Sequence, residues 1–147
     1  MTFVSDLLET KQREPLSITL DTSVYDALRV LADTNVGALL VLDGAKLVGI
    51  FSERDYARKI GLEGKFSNDT LVKDVMSSEV MFVRPEQTIE ECMALMTSKD
   101  IRYLPVLEEE ALVGLISIGD VVRAVIADKN IEIQQLENYV TGLLYGG

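Results

Sequence analysis

The chain has 147 residues, 48% of them apolar, and a formal net charge of −10. That length is one domain or two very small ones with enough apolar material for a core. The acidic balance argues against nucleic acid or an anionic membrane as partner, because neutralising phosphates needs a basic face; a small phosphorylated ligand at a local basic spot stays compatible.

No apolar run approaches the ~18 residues of a membrane helix. Residues 1–6 carry no basic stretch, so no secretory signal and a cytoplasmic location are expected. The single cysteine, Cys92, rules out an intramolecular disulfide framework.

In chain order, residues 3–8 place Val4, Leu7 and Leu8 on one side of a short helical turn. Residues 9–16 are polar and hold Pro15, which predicts a loop. A short strand at 16–20 precedes a helix whose Val24, Ala27, Leu28, Leu31 and Ala32 share one face. Ser23 with Asp26 marks its start. Residues 38–42 form a strand, Asp43-Gly44 a tight turn, and Leu47 begins a buried strand that ends in Ser52-x-x-Asp55. Residues 65–70 are a polar linker.

The chain then repeats itself. Residues 18–60 overlay 83–125 at a constant offset of 65 without a gap. Leu39/Leu104, Val41/Val106, Gly49/Gly114, Ser52/Ser117, Asp55/Asp120 and Arg58/Arg123 are identical pairs. Val72, Val75 and Met76 repeat the opening pattern at an offset of 68, so the first half holds three extra residues within 9–16. The second copy predicts a strand at 81–84, a helix started by Thr88 with Glu91, a strand holding Pro105 and a looser turn at 108–110. Pro105 suggests an edge or a bulge. Cys92 falls on the apolar helix face and reads as a small buried thiol; with no histidine in the chain, a Cys-His or Ser-His pair cannot be assembled. Residues 131–145 read as a last amphipathic helix, through Ile133, Leu136, Val140, Leu143 and Leu144. It covers the chain's own core, the default, or packs on a second copy.

Two tandem copies of strand-helix-strand-strand-helix, each ending in Gly-apolar-apolar-Ser-x-x-Asp, resemble a pair of CBS domains, a Bateman module. The resemblance rests on residues 36–43, 101–108, 72–76 and the two Gly-to-Asp runs, and covers roughly 4–127. Each motif alone is common; the ordered set, present twice, is specific. It implies an α+β fold of two pseudo-twofold βαββα repeats (1–64 and 65–127) packed sheet to sheet, followed by a C-terminal amphipathic helix and tail (128–147). It is similar to the stand-alone kind of CBS-pair protein, in which the module commonly joins a second copy as a homodimer.

The resemblance further implies a regulatory ligand containing adenosine: AMP, ADP, ATP, NAD(H) or S-adenosylmethionine. An ionised Asp accepts two hydrogen bonds, which suits a ribose diol, and a helix start favours phosphate. For the Asp55 cleft the candidates are Ser52, Arg54, Asp55 and Arg58, with Met81, Phe82, Arg102 and Tyr103. For the Asp120 cleft they are Ser117, Gly119 and Asp120, with Leu16, Gly37 and Ala38. Met81 and Phe82 serve equally well as core, and Tyr103 stacks on a base or shields the sheet. Both Ser-x-x-Asp runs are also good helix N-caps, and Arg58 and Arg123 suit simple pairing with those carboxylates. Arg54, Arg102 and Lys59, matched by Gly119, Gly37 and Ala124, make the Asp55 side richer in cations, so it is expected to take the more highly charged ligand, such as a diphosphate-bearing nucleotide or NAD(H), and the Asp120 side a monophosphate or none.

Three classes compete. The preferred one is a nucleotide-responsive energy or redox sensor that signals to a separate, unidentified protein. The alternative is a scaffolding dimer with vestigial clefts. An enzyme is disfavoured by the missing histidine, metal-ligand cluster and glycine-rich phosphate loop, and no catalytic cofactor is expected.

Overall fold

The computed structural model describes residues 1–11, 14–61 and 68–144. In order come α1 (Val4–Lys11), β1 (Ser17–Thr19), α2 (Val24–Thr34), β2 (Ala38–Asp43), β3 (Lys46–Ser52) and α3 (Glu53–Asp55), which continues as π-helical turns over Tyr56–Gly61. A 3-10 turn at Val72–Asp74 leads to α4 (Ile89–Lys99), β4 (Tyr103–Glu108), β5 (Ala111–Ser117) and α5 (Ile118–Leu144). This is the expected α+β class, one unit present twice. β2 pairs parallel with β1 and antiparallel with β3; β4 and β5 form the matching antiparallel pair.

Each unit has its own core, and six buried positions of one match six of the other at the offset of 65. Val24, Ala27, Leu31, Leu39, Val41 and Phe51 are buried in the first; Ile89, Cys92, Met96, Leu104, Val106 and Ile116 are buried in the second. Full burial of each large side chain contributes about 1.5–3 kcal/mol. α2 and α4 present these residues at helical spacing. Their starts are capped by Ser23, which accepts from the Asp26 N–H at 3.0 Å, and Thr88, which accepts from the Glu91 N–H at 3.2 Å. Both end on a left-handed residue, Asn35 and Asp100.

The short segments before each unit are exchanged. α1 packs on the second unit, where Val4 is fully buried, while Val72 and Val75 complete the core of the first. The backbone repeats the exchange: the Val4 N–H donates to the Gln87 carbonyl and the Val72 N–H to the Thr22 carbonyl, both at 2.8 Å. The two units therefore hold each other's core closed.

Four expectations need correction. The strand expected at 81–84 shrinks to one parallel bridge, Val83 to Val106. In the first unit the Leu40 N–H donates to the Leu16 carbonyl; at the matching place stands Pro105, which has no N–H, so residue 81 cannot join the ladder. The ladder shift next to it, between Val106 and Leu107, recurs between Val41 and Leu42, so the proline is not its cause. The turn expected to be looser is as tight as its twin: Glu109 and Glu110 close it alone, with φ of 50° and 69°. Of the loop expected over 9–16, residues 9–11 are the last turn of α1, which needs no stop before Pro15; residues 12–13 lie outside the described residues, as do linker residues 65–67 and Tyr145. Finally, the last helix is not a separate element. α5 is unbroken from Ile118 because nothing between it and residue 131 is a glycine or proline beyond the first turn. Its outer part does not cover the chain's own core: residues 129–141 are all exposed.

Candidate functional site

The two Ser-x-x-Asp runs sit where β3 meets α3 and β5 meets α5. In both, the N-cap reading is correct. The Ser52 N–H donates to Asp55 Oδ2 at 3.0 Å, and the Asp55 N–H donates back to Ser52 Oγ at 3.2 Å. Ser117 and Asp120 do the same at 2.8 and 3.1 Å. The reciprocal bonds fix each carboxylate at a helix start without consuming its other oxygen.

Both carboxylates line a cavity, and the other oxygen, Oδ1, accepts from Ser77 Oγ in Asp55 and from the Arg123 guanidinium in Asp120. The first cavity, about 270 Å³, brings Ser52, Arg54, Asp55 and Arg58 of the first unit together with Met81, Arg102 and Tyr103 of the second. The second, about 340 Å³, brings Ser117 and Asp120 together with Leu16, Gly37 and Ala38 of the first unit. Each cavity thus takes its carboxylate from one unit and its far wall from the other. Two candidates stand apart. Phe82 lies outside the cavity wall with the Arg84 guanidinium 5.8 Å from its ring centre. Gly119 is not part of the wall of the second cavity, and an added Cβ there would lie 3.2 Å from the Arg123 guanidinium.

Tyr103 lines both cavities. Its hydroxyl packs so closely on Gly37 that a Cβ there would collide with it. Burial raises the Tyr103 pKa above its ordinary 10.0, helped by Glu53 and Asp120 and opposed by Arg102. It stays a neutral phenol, a wall shared by the two sites.

The charges differ. In the first cavity four cations, Arg54, Arg58, Lys59 and Arg102, stand with three carboxylates, Asp55, Glu79 and Asp100. Arg54 pairs with Asp100 at 3.2 Å, and Lys59 donates to the Val75 carbonyl at 2.9 Å. Asp55 Oδ1 accepts from Ser77 Oγ at 3.1 Å. In the second cavity Lys11 and Arg123 stand with Glu14 and Asp120. There Lys11 Nζ donates to Asp120 Oδ2 at 2.9 Å and to the Leu115 carbonyl at 2.7 Å, and Arg123 donates to Asp120 Oδ1 at 2.9 Å. Burial alone would raise the Asp120 pKa, but the bonds from Lys11 and Ser117 and the Lys11 charge outweigh it and hold the group below its ordinary 3.8.

Glu14, Pro15, Asn35 and Val36 line the second cavity as Glu79, Val80, Asp100 and Ile101 line the first. The offset of 65 pairs them in sequence, so the repeat itself is the signal that finds them. Lys11 has no such signal, because it lies in the three-residue excess of the first half and reaches Asp120 only through the exchange of α1. The lowered Asp120 pKa means stability that is present above pH 3.8 and lost as the pH falls below it through the folded value. Lys11→Met is expected to cost about 1 kcal/mol at neutral pH, for a partly exposed charged hydrogen bond. It is also expected to flatten the loss of stability below pH 3.8. Urea midpoints of both proteins at neutral and acid pH measure this, and an unchanged acid limb would contradict it.

Cys92 is fully buried, and burial with the nearby Glu91 charge pushes its thiol up to about 11, the state of an inert core residue. Among the described residues no group of three or more metal-ligating side chains converges, and no helix is long and apolar enough to cross a membrane.

Comparison with known proteins agrees with this architecture. The family model described as CBS domain matches residues 4–62 and 72–127. The CBS domain-containing protein CBSX3, mitochondrial, of Arabidopsis thaliana is 40% identical over 150 residues, covering 96% of this chain and 73% of that protein. The structure of a protein with CBS domains from Burkholderia ambifaria MC40-6 superposes with a TM-score of 0.83 at 46% identity, over 86% of this chain and 96% of that one. CBSX2, solved in complex with AMP, superposes with a TM-score of 0.71 at 25% identity, over 86% of this chain and 98% of that one. Two matching units, each with its capped Ser-x-x-Asp turn, place the chain in the CBS-domain family.

Proposed function

We propose that the chain is a non-catalytic regulatory module that binds an adenosine-containing ligand in one or both clefts and passes occupancy to a separate protein. One observation carries this reading: each cleft joins a helix-capping carboxylate of one unit to residues at the start of a strand of the other, Tyr103 of β4 or Ala38 of β2, with cations beside it. A ribose diol matches the remaining acceptor capacity of the carboxylate, a phosphate the helix start and the arginines, and an adenine the start of the facing strand. The AMP bound by CBSX2 is in keeping with it. Cavities of about 270 and 340 Å³ sit near the lower end of the ~300–1,000 Å³ of ligand pockets and suit one mononucleotide each better than a dinucleotide such as NAD(H). The extra arginines suggest that the Asp55 cleft takes a di- or triphosphate and the Asp120 cleft a monophosphate.

One observation favours the scaffolding alternative. Asp120 already accepts from Ser117, Lys11 and Arg123, which leaves about one of its roughly four acceptor sites for a ribose hydroxyl. A thermal-shift panel of AMP, ADP, ATP, NAD, NADH, S-adenosylmethionine and cyclic dinucleotides separates the two. A ligand at ~100 times its dissociation constant adds about 2.7 kcal/mol, a rise in Tm of several degrees for a chain of this size. The sensing reading predicts such a rise with at least one adenosine compound. No rise with any of them favours the scaffold.

A further inference from the structure

The two carboxylates are held by different kinds of donor. Around Asp55 the bonds come from neutral groups: the Ser52 N–H and hydroxyl at 3.0 and 3.1 Å, and the Ser77 hydroxyl at 3.1 Å. Lys59 stays 3.8 Å away, its ammonium donating to the Val75 carbonyl. Around Asp120 two cations donate directly, Lys11 to Oδ2 and Arg123 to Oδ1, both at 2.9 Å. A cation on a carboxylate adds a charge attraction that a hydroxyl does not have.

The two cations differ. Arg123 is 73% exposed and shares a helix with Asp120, so it can turn away into water. Lys11 is 31% exposed, and its ammonium is clamped between Asp120 and the Leu115 carbonyl, 2.7 Å away. At the matching strand position of the first unit the clamp is backbone: Ile50 exchanges two bonds with Ser77, at 3.0 and 2.9 Å. Lys11 also stands at a boundary. With Asp120 and Arg123 it lines both the Asp120 cleft and a neighbouring cavity of about 440 Å³ bordered by α1. The polar groups that α1 and its approach bring to that cavity are engaged: Thr2 with Asp128, Thr10 with the Asp6 carbonyl, and Asp6 with the Phe3 N–H. The two cations at the boundary are the groups that can meet an anion there.

We infer that Lys11 is the specificity-determining residue of the Asp120 cleft, a built-in occupant that admits adenosine compounds carrying a phosphate and excludes those without one. This rests on the adenosine-ligand reading above. A ribose diol brings two donors, and about one acceptor site of Asp120 is open. The second hydroxyl must displace a donor, and a neutral hydroxyl in place of an ammonium leaves Lys11 without its counter-charge. A phosphate on the same ligand restores the balance, because Lys11 and Arg123 turn to it as Asp120 turns to the ribose. An uncharged nucleoside offers no such exchange. At Asp55 a ribose competes with the Ser77 hydroxyl, one neutral donor for another.

Calorimetric titration of adenosine and AMP in an Asp55→Asn background reads the Asp120 cleft. This parent is expected to bind AMP about 10-fold or more tightly than adenosine. Lys11→Met is expected to move the two in opposite directions, adenosine tighter and AMP weaker by about 10-fold each, the value of one charged hydrogen bond. Lys11→Arg keeps the charge and is expected to keep the preference for AMP. A merely structural latch would weaken both ligands together. Equal affinity for the two ligands in the parent, or a parallel change of both in Lys11→Met, would overturn the inference while leaving nucleotide binding in place. Binding of neither compound by the wild-type chain would overturn the nucleotide reading and this inference with it.

Discussion

Asp55→Asn and Asp120→Asn are each expected to weaken adenosine-nucleotide binding in their own cleft by about 10- to 100-fold and to leave the other cleft unchanged. The magnitude follows from one charged hydrogen bond to a ribose hydroxyl, about 1.5–3 kcal/mol. Asparagine is the informative replacement. Its carbonyl oxygen still accepts from the Ser52 or Ser117 N–H, so the helix start stays capped, while the charge and the second acceptor are gone. The surplus of arginines at Asp55 adds a preference: Asp55→Asn is expected to lose ADP or ATP, and Asp120→Asn to lose AMP. Calorimetric titration of both variants reads the two affinities directly. Equal loss of the same nucleotide in both would remove the proposed difference between the clefts.

Phe51→Ala is expected to lower stability by about 3–5 kcal/mol, the cost of an uncollapsed cavity in a close-packed core. Phe51 is fully buried among Val24, Leu31, Leu39 and the imported Val72 and Val75. Because α1 and the 72–76 segment are exchanged, the damage should not stay in the first unit. One cooperative melting transition is expected, lowered by roughly 6–20 °C. Two separated transitions, or a loss below ~1 kcal/mol, would contradict a core held jointly by the two units.

Much of this was legible in the sequence because the chain states its pattern twice. The paired cores and the two capped Ser-x-x-Asp turns follow from one offset, whereas the residues facing each carboxylate came from the resemblance to the family. What escaped has physical reasons. The exchange of α1 leaves no local trace, since Val4, Leu7 and Leu8 suit any apolar surface, and Lys11 was missed with it. The tight Glu109-Glu110 turn breaks the usual preference for Asn or Gly at positive φ, so composition pointed away from it. The lost strand at 81–84 depended on a single absent N–H, that of Pro105, whose partner only the fold identifies. Phe82 entered the candidates through the resemblance, but it lies outside the cavity wall, under the Arg84 guanidinium.

The most direct measurement is a crystal structure of the chain grown with saturating AMP. The account predicts AMP bound in a cleft between the two units, with its ribose hydroxyls within about 2.5–3.0 Å of the carboxylate of Asp55 or Asp120. Its adenine should lie against the start of the strand contributed by the opposite unit. AMP bound away from both carboxylates, or two empty clefts at saturating nucleotide, would contradict it.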